Sequence, residues 1–251
     1  MMKILFWVPI VVLLSFTSGL GEERSRAKLR VGLDPSYPPF SDIDDAGRLV
    51  GFDIDIALAL CARLEAECGF VRQDWEGLIP ALRAGEFDAI VSSMSITEKR
   101  RRLIAFTDRY YSNVVRFVAR KGSGFDPAAP AGRAIGATRA TISSDWLLAN
   151  MSEVADIRLF TELGAPLRAL AEGRLDAVFG DGLGFWNWLR SPEGAGFAYV
   201  GDGYRLDEGI GIAVRKEDEM LRLRLNRALG AILADGTYRE INAKYFPFSI
   251  Y

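Results

Sequence analysis

From Leu29 onward, apolar and polar positions fall into short alternating units. Leu29-Arg30-Val31-Gly32-Leu33 predicts a short strand, and Pro35, Pro38 and Pro39 force a loop after it. Across 51–67 the apolar positions Phe52, Ile54, Ile56, Ala57, Leu60, Cys61 and Leu64 keep helical spacing. Phe70-Val71 is a small strand. Residues 75–84 form a second helix stopped by Gly85, and 87–91 is apolar apart from Asp88, the pattern of a strand buried on both faces. Strand–helix–strand–helix–strand predicts a parallel sheet with helices on both sides.

The second half repeats this grammar: strand 133–138, helix 144–154, strand 157–160, helix 166–171 closed by Gly173, strand 175–179. ALRAGEFDAIVSS at 81–93 aligns with ALAEGRLDAVFGD at 169–181, sharing Ala, Leu, Gly, Asp and Ala. Those identities reflect an internal repeat or the common demands of any helix–Gly–strand unit. The tail differs. Residues 209–214 are strand-like and 216–234 form a long amphipathic helix ended by Asp235-Gly236. Thr237 is expected to cap a last helix through Tyr245. This tail completes neither repeat and is expected to return to the first. The predicted fold is therefore α/β, with two similar lobes of mixed, mainly parallel sheet joined by a two-strand hinge. Lobe 1 takes 28–113 plus 209–251 and lobe 2 takes 114–208, with crossings near 111–116 and 205–209. A ligand is expected in the interlobe cleft.

The first residues read as an address. Met1, Met2 and Lys3 form a short positive start, 4–16 is mostly apolar, and Thr17, Ser18, Gly19 and Gly21 precede the charged Glu22. This is the three-part pattern of a secretory signal peptide over 1–21, cut near Gly19 or Gly21. The apolar stretch is shorter than the ~20 residues a span needs. No Cys follows it, so no lipoprotein-type anchor is expected, and the mature chain is expected to be exported and soluble. Cys61 and Cys68 then lie in an oxidising compartment, where a disulfide is permitted. Seven positions along an unbroken helix would separate them by ~10 Å, too far for a bridge. A bridge thus requires the helix to end before Cys68, for which Gly69 is the candidate stop; two buried free thiols are the alternative.

Composition removes several classes of chemistry. The 251 residues include no His, so a Ser-His-Asp triad, a Cys-His pair and an HExxH zinc site are all impossible. The 31 basic and 33 acidic residues nearly cancel, which gives no electrostatic case for nucleic acid. What remains lies at the predicted strand ends, where open parallel sheets bind ligands. The first end carries Asp34 and Tyr37 on the Pro-stiffened loop. The second carries Ser92, Ser93 and Ser95 before a short helix. Ser95 and Glu98 fit a capping box there, and Arg100 lies about one turn in. The third is Thr138 to Ser143, including Thr141 and Ile142, again strand into helix with free N–H donors. The fourth is Asp181, which could equally be a helix cap. Arg100 with N–H groups suits a carboxylate, Asp181 suits an ammonium, and Tyr37 and Trp75 offer aromatic walls. Together they complement the zwitterion of an α-amino acid.

On these stretches the chain resembles the polar amino-acid family of bacterial periplasmic solute-binding proteins, most of all the lysine/arginine/ornithine and histidine binders. The resemblance runs from about Lys28 to Tyr251 and is carried by GLDPSYPPF, GFDIDIALALC, DAIVSSMSITEKR, IAFTDRYY, LDAVFGD and ADGTYREINAKYF. It implies that Arg100 clamps a ligand carboxylate, Ser93 and Ser95 bond its main-chain groups, and Asp181 holds its ammonium. By the same resemblance Tyr37 and Trp75 sandwich the side chain, while Asp34 and Ser92 face its polar end. It also implies a Cys61–Cys68 bridge. One departure stands out: Ala140-Thr141-Ile142 replaces the family's usual Gly-Thr-Thr. The donor at Ile142 is a backbone N–H, but its side chain would narrow the pocket.

The expected function is capture of a free polar amino acid of the arginine, lysine, ornithine, histidine or glutamine class. Delivery would be to an ATP-driven (ABC) permease, by a periplasmic monomer without metal or organic cofactor. One rival is an enzyme like the periplasmic cyclohexadienyl dehydratases; their acid matches Gly184 here, which argues against that reading. The other is a ligand sensor for a membrane receptor.

Overall fold

The computed structural model describes residues 27–251; the expected signal peptide, 1–21, lies outside them. The described chain opens with β1 (Lys28–Leu33) and a two-stranded ribbon, β2 (Asp42–Ile43) and β3 (Leu49–Val50). It continues through α1 (Phe52–Arg63), β4 (Glu67–Arg72), a 3-10 turn at Trp75–Gly77, α2 (Leu78–Ala84), β5 (Ala89–Ile90), the one-turn α3 (Glu98–Arg101) and β6 (Ala105–Tyr111). The second half is β7 (Val115–Arg120), β8 (Ala134–Thr138), α4 (Ile142–Asn150), β9 (Asp156–Phe160), α5 (Ala165–Ala171), β10 (Ala177–Asp181), α6 (Gly182–Arg190) and β11 (Phe197–Tyr204). It closes with β12 (Ile210–Val214), α7 (Glu219–Ala234) and α8 (Thr237–Tyr245).

Two five-stranded sheets result, ordered β4-β1-β5-β12-β6 and β9-β8-β10-β7-β11. In each, a central strand pairs in parallel with the next two strands of its repeat, and two antiparallel strands finish one edge. The matching strand next to the parallel set, β12 or β7, is in both cases the one that has just arrived from the other half. The chain passes between the sheets twice, over 112–114 and 205–209. β12 lies in the first sheet, and α7 and α8 pack on α1.

The identities between the two repeats do equal work in both. Gly85 and Gly173 follow α2 and α5 with φ of 79° and 74°, a conformation glycine adopts without steric cost. Asp88 accepts from the Arg30 N–H at 3.0 Å, and Asp176 accepts from the Ala134 N–H at 2.8 Å, each fixing the start of the central strand. Gly32 and Gly136 stand at matching places in β1 and β8; a Cβ on either would lie 2.4 Å from Phe87 or Leu175.

Several local expectations need correction. α1 ends at Arg63 rather than at Glu67, before Cys68 as the bridge requires, but Gly69 is not the stop: Leu64 and the left-handed Glu65 (φ 53°) turn the chain, and Gly69 lies within β4. Cys68 thereby comes back beside Cys61, with Cα atoms 5.8 Å apart, and the two are bridged. The N-cap of α3 is Thr97, whose hydroxyl accepts from the Arg100 N–H, not Ser95. Ser95 is instead held in extended backbone by a bridge to Ile210. α4 spans 142–150 rather than 144–154, capped by Thr141 in a box with Ser144. α8 follows Gly236, and its first N–H, that of Thr237, is satisfied by the Asp235 carboxylate at 2.9 Å. β6, β7, β11 and α6 were not anticipated as elements.

Candidate functional site

The carboxyl ends of β1, β5, β8 and β10 point at one another across the two halves. They border one cavity between the halves. Of the sequence-predicted ligand residues, Tyr37, Trp75, Ser92, Ser93, Ser95, Arg100, Thr141, Ile142 and Asp181 all line it. Asp34 does not. Its carboxylate accepts from the Ser36 N–H and hydroxyl at 2.9 and 2.6 Å and from the Trp75 N–H at 2.9 Å. Asp34 supports the turn that carries Trp75; it is not a wall of the cavity.

Arg100 projects from α3 and is only 8% exposed. Its Nη1 donates to the Ser95 carbonyl at 3.0 Å and its Nη2 to the Ala140 carbonyl at 3.2 Å, while its Cζ sits 5.1 Å from the Trp75 ring centre. It forms no ion pair among the described residues. Burial pushes its pKa down to about 10. Trp75 Nε1 donates to the same Ala140 carbonyl at 3.1 Å. Ala140 achieves this double acceptance with φ 57°, the left-handed region that favours glycine. The difference from the family's glycine is thus accommodated by backbone strain, and the Ile142 side chain packs partly into the second-half core.

Asp181 ends β10 and also caps α6, accepting from the Gly184 N–H at 3.0 Å. The Tyr37 hydroxyl lies against its carboxylate, and burial raises its pKa to about 6 despite those donors. Tyr37 in turn stacks on Phe40 at 5.5 Å. A Cβ on Gly184 would run into the Tyr37 hydroxyl end, so a side chain here requires Tyr37 to shift. The first-turn N–H groups of α4, at Ile142 and Ser143, have no acceptor within the helix and stand at the cavity wall. The Thr141 hydroxyl is committed to capping.

Contacts across the two halves accompany this geometry. Lys99 pairs with Asp145 at 2.8 Å and Arg139 approaches Glu76 at 4.0 Å, both on the exposed rim. Sequence reasoning missed Asn113 and Phe185, which also line the cavity. It also missed Asp53, fully buried behind Ser93. Its one signal was an acid inside the apolar run Phe52–Ile56.

Two pseudo-symmetric α/β halves, two chain crossings and a cavity between the halves define a two-lobed fold of the type II periplasmic binding protein class. The chain belongs to the bacterial extracellular solute-binding proteins, family 3, whose family model matches residues 29–248. It is 39% identical over 232 residues to the L-arginine-binding protein of Pseudomonas aeruginosa, covering 89% of each chain. It is 36% identical over 231 residues to the lysine/arginine/ornithine-binding periplasmic protein of Escherichia coli, again covering 89% of each. An ancestral arginine-binding protein bound to arginine superposes with a TM-score of 0.83 at 33% identity, over 88% of this chain and 99% of that one.

Proposed function

We propose that this chain captures a polar L-α-amino acid, preferentially a basic one, between two lobes that close on it, and hands it to a membrane permease. The observation that carries this reading is the pair Arg100 and Asp181. Arg100 is buried and Asp181 half-buried at one cavity, and neither forms a salt bridge among the described residues; Asp145 and Asp207 act on Arg100 only from beyond ion-pair distance. A buried unpaired charge is costly, so a cavity that keeps one of each sign is built for a ligand carrying both. A free amino acid supplies a carboxylate for Arg100 and the α4 N–H groups, and an ammonium for Asp181. Asp34 acts on the side chain's site through the turn that carries Trp75. The Tyr37 and Trp75 rings with the Ser92 hydroxyl receive it, and a cationic side chain gains cation–π attraction there.

The lobes correspond to 28–113 plus 209–251 and to 114–208, with the crossings at 112–114 and 205–209 as the hinge. We also propose export through a signal peptide at 1–21 to the periplasm, a reading supported by the three-part pattern of those residues and by the periplasmic naming of a relative. Gly184, at the position of the dehydratases' acid, argues against catalysis of that type. Isothermal titration against the twenty amino acids plus ornithine and citrulline tests the proposal. Saturable binding of at least one, with arginine, lysine or ornithine foremost, is expected. Binding of none would defeat it.

A further inference from the structure

Ser93 sits at the end of β5 in the place that Asp181 occupies in the second repeat, and both face the cavity. Its backbone is left-handed, φ 51°, and it is held on two sides. Its N–H donates to the Tyr110 hydroxyl at 3.2 Å, and its own hydroxyl donates to Asp53 Oδ2 at 2.8 Å. The Tyr110 hydroxyl donates to Asp53 Oδ1 at 2.7 Å, closing a three-residue ring. Asp53 and Tyr110 are both fully buried, and neither lines the cavity.

A serine hydroxyl has one proton and two lone pairs. At Ser93 the proton is spent on Asp53, so the cavity meets lone pairs only. We infer that Asp53 is a positioning residue that makes Ser93 an obligate acceptor, so that Ser93 and Asp181 together select a protonated amine over a hydroxyl in the same place. This deepens the proposed amino-acid reading and rests on it. The placement of Asp53 in the first turn of α1 favours its charged form, while burial and the neighbouring Asp181 oppose it and raise its pKa to about 7. Tyr110 from β6 and Ser93 bond to it directly, and Tyr37, Tyr111 and Tyr238 stand near. Once protonated, Asp53 becomes a donor itself, Ser93 is released to turn its proton inward, and the preference for an amine weakens.

The test is calorimetric titration at pH 8 with L-arginine and with its 2-hydroxy analogue, 2-hydroxy-5-guanidinopentanoate. The proteins are the wild type, Asp53→Asn, Ser93→Ala and the double variant. Asp53→Asn is expected to weaken arginine at least tenfold and the hydroxy acid less than threefold. Ser93→Ala is expected to narrow the ratio similarly, with no further narrowing in the double variant. Equal losses for both ligands, or an unchanged ratio, would overturn the inference while leaving amino-acid capture intact. Failure of the wild type to bind any amino acid would overturn both. Should Asp53→Asn not fold, the wild-type arginine-to-hydroxy-acid ratio should fall between pH 8 and 6.5 more steeply than that of Ser93→Ala; equal slopes would refute it.

Discussion

Replacing Arg100 by Met removes the positive charge at roughly constant volume, and its two consequences should have different sizes. In the liganded state a desolvated carboxylate loses its partner. Breaking a buried pair costs about 3–5 kcal/mol, and each 1.4 kcal/mol is tenfold. The amino-acid affinity should therefore fall roughly a hundredfold to several thousandfold. In the empty state the balance is different. Arg100 gives up hydrogen bonds to the Ser95 and Ala140 carbonyls and its contact with Trp75. Bonds to a charged donor are worth about 1.5–3 kcal/mol each. Against them stands a buried cation's desolvation penalty of several kcal/mol, relieved only in part by Asp145 and Asp207, neither of which forms a salt bridge with it. The terms nearly offset, so unliganded stability should stay within about 1–2 kcal/mol of the wild type. Urea unfolding of the empty protein and calorimetric titration with L-arginine measure the two arms separately. Affinity within tenfold of the wild type would refute the assignment of Arg100 as the carboxylate partner. An unfolding loss well above 3 kcal/mol would show that its role is structural.

Other perturbations read other parts of the account. Burial raises Asp181 to about 6 and Asp53 to about 7. A carboxyl raised on folding binds more protons in the folded state, so the empty protein should lose stability as pH rises from about 4 to about 7. Affinity for an ammonium ligand should rise over the same interval, and binding at pH 6 should release protons; proton uptake there, seen by calorimetry in two buffers, would contradict this. The Cys61–Cys68 bridge closes a short loop between α1 and β4. Its removal by Cys61→Ser with Cys68→Ser should cost roughly 2–3 kcal/mol by loop-closure entropy, with ligand affinity unchanged. Ala140→Gly relieves a left-handed alanine and should stabilise by about 0.5–1 kcal/mol net of unfolded-state entropy, visible as a rise in Tm. Gly184→Ala should drive Tyr37 off Asp181 and weaken binding at least tenfold.

Much of this site was legible because strand ends are marked by local signals. Hydrophobic runs locate the strands, Gly85 and Gly173 punctuate the repeat, and Arg100 and Asp181 follow at fixed offsets. The failures come from interactions that local pattern cannot carry. Asp34 resembles a free strand-end carboxylate, yet Ser36 and the distant Trp75 N–H consume it. Ser95-x-x-Glu98 looks like a cap, but pairing with Ile210, far along the chain, holds Ser95 extended and leaves capping to Thr97. α6 was hidden by Gly182 and Gly184, although Leu183, Trp186 and Leu189 keep helical spacing. Asp53 went unseen because an acid in a first helical turn is ordinary, and only packing shows it fully enclosed.

The central claim is that Arg100 and the ligand carboxylate act on each other. A cycle between protein and ligand tests it most directly: L-arginine and agmatine, its decarboxylated counterpart, titrated into the wild type and Arg100→Met. The wild type should bind agmatine at least a hundredfold more weakly than arginine, and the variant should scarcely distinguish the two. Equal affinity of the wild type for both, or an undiminished preference for arginine in the variant, would contradict the account.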